Sequence, residues 1–222
     1  LDARRPQALV RALPADELYL VIRDIGLADA VPLVSLASAD QFKVLLDLDA
    51  WREGEFEPPR AMPWLLAARA GALEDPKAAA RWARKLAGLD PEVLFLTLRS
   101  ALRVHELEPN EPDPEIVSDR FMRSPDNKFI IEFLGEGLDY LAVKGILDDM
   151  YAEDPFKATR LLSAIRWEID SELSETALRW RAGRLADLGF PSLEEALSWF
   201  ARPPATPLAW PSIATGVWPD KH

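Results

Sequence analysis

The chain has 222 residues, 49% of them hydrophobic, and carries 37 acidic against 26 basic side chains for a formal charge of -11. An apolar fraction of that size builds a sizeable core and excludes a disordered chain, while the length allows one large domain or two small ones. The absence of cysteine closes disulfide, iron-sulfur, thiolate-zinc and cysteine-nucleophile chemistry, and net acidity opposes contact with phosphate backbones, so nucleic acid is not an expected partner.

Leu1-Asp2-Ala3-Arg4-Arg5-Pro6 has neither an apolar signal core nor an initiator Met and reads as a trimmed start. No run reaches the roughly 18 apolar residues of a membrane span. The longest candidates are broken by Arg23, Asp24, Asp47 and Lys144, so no membrane insertion and a cytoplasmic location are expected.

Residues 1–107 read as a string of short helices. Leu18, Val21, Ile22 and Ile25 form a stripe, followed by Ala30, Val31, Val34 and Leu36, then Phe42, Leu45 and Leu46. Ser38-Ala39-Asp40-Gln41 is a capping box, and Asp75-Pro76 and Asp90-Pro91 place helix starts near 76 and 91. His105, beside Glu106, is expected at the C-terminus of the apolar helix from 91. The starts near 13, 27 and 38 recur about every dozen residues, which suggests a degenerate helical repeat with short helices stacked on their neighbours.

Residues 108–118 alternate acids with Pro109, Pro112 and Pro114 and read as a linker. Beyond it, 119–202 reads as a β-hairpin plus helical domain. Arg120–Arg123 and Lys128–Leu134 form the hairpin around a Ser124-Pro125-Asp126-Asn127 turn, and Phe121, Phe129, Ile131 and Phe133 are expected on one face, covered by a helix or a second chain. Helices are expected near 138–151, 155–169, 173–187 and 193–201. Gly189-Phe190-Pro191 ends the third, and Ser192 to Glu195 caps the fourth. A tail with proline, Trp210 and Trp218 occupies 203–222. The fold class is mainly α: stacked short helices, superhelical or bundle-like, with one small β-hairpin in the C-terminal half.

The Leu-Pro-x-Asp-x-Leu run at 13–18 and the rhythm continuing to residue 46 are similar to the helical N-terminal domain of MgtE-type magnesium transporters. That resemblance implies an acidic regulatory domain sensing divalent cations. Arg166-Trp167-Glu168 through Arg184-Leu185-Ala186-Asp187-Leu188-Gly189-Phe190-Pro191 resembles an uncharacterised bacterial family of unknown function, over most of the chain. Neither resemblance supplies a catalytic residue.

Four constellations could carry chemistry. Gly135-Glu136-Gly137 sits between a strand and a helix, but Tyr140 replaces the third glycine of a dinucleotide fingerprint, so it reads as a plain turn. Asp148, Asp149, Glu153 and Asp154 crowd a helix end where the dipole opposes them; they are matched either by a divalent cation or by Lys144, Lys157 or Arg160, with Asp154 as a cap. His105 has no apparent nucleophile. The densest set is Trp167, Arg179, Trp180, Arg181 and Arg184, residue types that dominate protein interfaces. If Trp180 points into the core, Arg179 and Arg181 flank it and Arg184 extends the Arg181 face. Gly183 within this helix suggests close approach of a backbone or ligand.

The leading expectation is a non-enzymatic helical interaction or scaffold module without cofactors, with a protein partner and a homodimer left open. The alternatives are a divalent-cation sensor using Asp148, Asp149 and Glu153, and a carboxylate-dependent hydrolase.

Overall fold

The computed structural model describes residues 6–73, 76–108, 112–116, 118–135, 139–167 and 170–201. Two compact units divide between Arg181 and Ala182. The first opens with α1 (Pro6–Ala12), α2 (Ala15–Ile25), α3 (Val31–Leu36) and α4 (Ala39–Asp49), followed by a two-stranded ribbon of β1 (Trp51–Arg52) and β2 (Glu55–Phe56). The ribbon turns through Glu53 and Gly54, both at positive φ. Next come α5 (Pro58–Ala72), α6 (Pro76–Gly88) and α7 (Pro91–Arg99), then β3 (Leu102–Glu106), β4 (Phe121–Arg123) and β5 (Phe129–Phe133). The helices α8 (Tyr140–Glu153), α9 (Pro155–Trp167) and α10 (Asp170–Asp187) follow, α10 crossing into the second unit, which also holds α11 (Leu193–Ala201).

The mainly α fold class is as expected. Helices pack on the helix two positions along the chain: α1 on α3, α2 on α4, α3 on α5, α4 on α6 and α5 on α7. The central member, α5, buries Ala61, Met62, Trp64, Leu65, Ala67, Ala68 and Gly71 because it is covered by α3, α4, α6, α7 and α8. Its apolar residues therefore run around the helix rather than along one stripe, and no periodicity marks it in the sequence. Gly71 lets α3 approach, since a methyl group there would lie 2.7 Å from Cβ of Ser35.

Where caps are strong, the local reading holds. Ser38 accepts from the Gln41 backbone at 3.0 Å while the Gln41 side chain accepts from the Ser38 N–H at 2.9 Å; Gln41 also donates to the carbonyls of Val10 and Leu13, fastening the end of α1 to α4. The helices begin at Pro76 and Pro91 as expected. Asp90, however, makes no side-chain cap bond to α7, and Asp75 lies outside the described residues. The α2 stripe is rotated from the expected one: Leu18, Tyr19 and Ile22 are buried, whereas Val21 and Ile25 are exposed.

The largest correction lies at residues 102–133. His105 is not at a helix end but in β3, which pairs antiparallel with β5 in the order β3-β5-β4. The hairpin gains its third strand from across the acidic proline-rich stretch, so residues on both sides of 108–118 contribute to one hydrophobic cluster. Phe129, Ile131 and Phe133 are buried together, with Val104 and Met122 opposite Ile131. Phe121 does not share that face. Its register partner is Glu132, which puts it on the other side of the pleat, 52% exposed. The helix packed on β3 is α9, and Tyr140 at the start of α8 meets Phe133 with ring centroids 5.8 Å apart.

In the second unit the end of α10 is closed by Gly189 at φ 83°, with the Phe190 N–H donating to the Leu185 carbonyl at 2.9 Å. Ser192 and Glu195 form the expected capping box of α11, at 3.1 and 2.9 Å. Residues 203–222, with Trp210 and Trp218, lie outside the described residues, as do Glu136 and Gly137 of the glycine turn.

Candidate functional site

A groove of about 530 Å³ runs between α7, α9 and the start of α10, continuous through Leu94, Met150, Asp154 and Lys157 with a second of about 300 Å³ beside α6. Its floor is apolar, from Leu94, Phe95, Met150, Leu161 and Ala164, and its rim is charged, from Glu92, Asp154, Lys157 and Arg160. Phe156 stands on the rim, 84% exposed. The local sequence explains the position: Asp154 caps α9 by accepting from the Lys157 N–H at 3.0 Å, Pro155 takes the first helical position, and Phe156 follows before the helix has turned its apolar face inward.

The groove was not foreseen from the sequence, because its walls come from helices separated by some sixty residues. One expected residue belongs to the same surface. Trp167, at the other end of α9, is 66% exposed, stacked under the Arg166 guanidinium at 4.6 Å, and donates from Nε1 to Glu106 Oε2 at 3.2 Å. Phe156, Arg160, Ser163 and Trp167 recur at helical spacing, so they lie along one side of α9 for roughly 16 Å.

The remaining members of the expected cluster face differently. Trp180 is 58% exposed and does not enter the core, so the arrangement built around an inward Trp180 does not occur. Among the described residues Arg179 reaches only Glu175, at 3.4 Å on the helix surface. Arg181 is the residue that turns inward. Its Nε donates to the Asp47 carbonyl at 2.8 Å, its guanidinium lies 5.5 Å from the Trp51 ring centroid, and burial lowers its pKa. Arg184 falls in the second unit, in the last turn of α10. Apart from its chain neighbours and the helix's own backbone, no atom among the described residues comes within 4 Å of a methyl group built on Gly183, so the expected close approach is not seen there. Gly183→Ala is accordingly expected to raise the unfolding free energy by about 1 kcal/mol, measured by urea denaturation, since it replaces the costlier helix residue in open space.

Within the acidic cluster Asp148 and Asp149 are held by protein groups, while Glu153 lines the smaller groove. Asp148 pairs with Lys144 at 2.7 Å. Asp149 Oδ2 accepts from Arg69 Nε at 2.8 Å and Trp82 Nε1 at 2.9 Å, and Gly145 provides the passage for Arg69, whose guanidinium a Cβ there would strike. Lys144 and the Asp154 cap were legible locally; Arg69 and Trp82, distant in sequence, were not. Among the described residues no three acidic or histidine side chains gather closely enough to hold a metal ion. His105 meets Glu132 Oε1 at 2.5 Å, and that carboxylate is also approached by Arg103 at 3.9 Å.

Fold and groove together define a mainly α-helical protein with an apolar surface groove. The chain belongs to DUF6178, a family of unknown function whose model matches residues 1–216. No curated protein and no solved structure matches it.

Proposed function

We propose that the protein is a non-enzymatic helical interaction module and that α9, with the groove beside it, receives an amphipathic helix of a partner protein. The observation that carries this reading is Phe156, an almost fully exposed aromatic side chain on the rim of an apolar groove. Covering such a side chain yields roughly 2 kcal/mol, and an apolar surface left open beside a cavity is the form that helix-in-groove recognition takes. Arg160 and Trp167 continue the stripe and supply the residue types that anchor interfaces. The alternating stack of α1 to α7 supports a scaffold role, since such a stack holds a surface rigid without a moving part.

The alternative of a cation sensor rests on the likeness of residues 13–46 to a magnesium-transporter domain alone, which neither the curated proteins nor the solved structures support. The pairing of Asp148 with Lys144 and of Asp149 with Arg69 and Trp82 favours the interaction reading, because a cation would first have to displace three protein donors.

A photoreactive phenylalanine placed at 156 in the source cell tests the proposal, with the same group at the exposed Leu20 on α2 as control. The expected result is one discrete cross-linked protein from position 156, lost when Arg160 and Trp167 are replaced by Ala, and none from position 20. A product of twice the chain's own mass, or an identical pattern from both positions, overturns it.

A further inference from the structure

Three of the four cations Arg11, Arg81, Arg84 and Lys85 meet at the C-terminus of α3. Arg81 Nε and Lys85 Nζ both donate to the Ser35 carbonyl at 3.0 Å, Arg81 also reaches Ser35 Oγ at 3.3 Å, and Arg11 Nε points to the Leu36 carbonyl at 3.4 Å. Arg84 and Lys85 each lie one turn from Arg81 on α6, to either side of it, by their spacing of three and four. Lys85 lies at the bottom, 2% exposed, whereas Arg11 and Arg84 are open to solvent.

Cations at a helix C-terminus complement its dipole, and that alone would explain one of them. The end of α4 shows how this protein otherwise builds such a cap: Arg60 bonds the Asp49 carbonyl and also pairs with the Asp49 carboxylate at 2.8 Å. At α3 the acceptors are two carbonyls and a hydroxyl, and among the described residues no carboxylate pairs with any of the four cations. The Lys85 ammonium has three protons to donate and one described acceptor, and Arg84 has none. Three guanidinium groups gathered around a buried ammonium in a chain of net charge -11 leave a concentrated positive site that no carboxylate among the described residues neutralises.

We infer that Arg11, Arg81, Arg84 and Lys85 form a binding site for a doubly charged tetrahedral oxyanion of the phosphate type. Arginine holds such a group through two parallel N–H donors, and three guanidinium groups around one ammonium can serve all of its oxygens. Arg11 and Arg84 lie at the solvent end, Arg81 is half-buried between, and Lys85 closes the site from behind. The lowering of the Lys85 pKa to about 8, by burial and by the charges of Arg81, Arg11 and Arg84, accords with a missing counter-ion.

Calorimetric titration of the full chain in chloride buffer at pH 7 tests the site, using inorganic phosphate in one arm and phenyl phosphate, a monoester, in the other. Saturable binding at about millimolar concentration or below is expected in at least one arm, and the tighter arm distinguishes free phosphate from an esterified group. Arg84→Ala and Arg11→Ala should each weaken it tenfold or more. Both side chains are exposed and Arg84 makes no described hydrogen bond, so folding is preserved in these variants, and a purely structural role would leave their titrations unchanged. Lys85→Met should abolish the heat. Absence of saturation in both arms, or equal affinity in wild type and the two arginine variants, overturns the proposal.

Discussion

Replacing Asp49 by Ala is expected to cost roughly 3 kcal/mol, read as a fall in the urea midpoint at unchanged slope. Asp49 stands in the last turn of α4, where the helix dipole opposes a carboxylate, yet it is the acceptor for three side chains from two other helices, α2 and α5. Tyr19 Oη on α2 donates to Oδ1 at 3.0 Å, Trp64 Nε1 on α5 to Oδ2 at 2.9 Å, and Arg60 binds both the carboxylate and the backbone carbonyl. Burial pushes the Asp49 pKa up, but the bonds from Trp64, Tyr19 and Arg60 outweigh it and leave the carboxyl below its ordinary value. Truncation leaves a part-buried guanidinium, an indole N–H and a phenol without their acceptor, so the loss is that of a broken network rather than of one bond. Asp49→Asn keeps one of the two acceptor oxygens, removes the charge and turns an N–H donor toward the donors that met the other; it should cost less than the truncation. A loss below about 1 kcal/mol for Asp49→Ala would show that water replaces the carboxylate freely.

The second large effect is on pH dependence. Lys85 has a pKa of about 8 in the folded chain against an ordinary 10.5. Below pH 8 both states hold the proton and the folded state bears the full cost of the buried ammonium. Between pH 8 and 10.5 the native amine releases its proton while the unfolded chain retains it, so stability rises with pH across that window. At about 1.4 kcal/mol per pKa unit the rise amounts to roughly 3 kcal/mol. Tyr19 and Tyr151 act in the opposite sense above pH 10, because burial raises the pKa of both hydroxyls. The informative quantity is therefore the difference between wild type and Lys85→Met in chloride buffer. The variant should be more stable by about 3 kcal/mol at pH 7, and the two should converge by pH 10.5. A constant difference across the range would mean that Lys85 does not titrate in this window.

What the sequence revealed divides by the range over which each signal acts. Ser38 and Gln41, Ser192 and Glu195, Pro76, Pro91 and Gly189 act within four residues of themselves, and the structure carries each where the local chemistry placed it. The strand β3 was hidden because Leu102-Arg103-Val104-His105-Glu106 follows directly on an apolar helix, and only pairing with β5 distinguishes it from one more turn. Central α5 lacks that signal for the opposite reason: it is covered on most sides, and its exposed line, Pro59, Pro63 and Ala70, carries no polar side chain to reveal its period. In the surface cluster, Trp167 and Trp180 were recognised as residue types suited to an interface, but their directions follow from which side of α9 and α10 the core occupies. Phe156 and Lys85 carried no local signal. Their significance comes from exposure and burial respectively, which depend on α7 and α3.

The order β3-β5-β4 also governs how the chain assembles. Register partners in β4 and β5 are about ten residues apart, whereas Leu102 and Phe133 are about thirty apart. Closing the longer loop costs only about 1 kcal/mol more, so the hairpin forms first and offers its free β5 edge to a strand already synthesised. On the ribosome, β3 emerges behind α7 and waits unpaired until β5 has cleared the exit. Arg103, His105 and Glu106 set polar groups between and beyond Leu102 and Val104 along that strand, the pattern that disfavours edge-to-edge pairing while it is unpartnered.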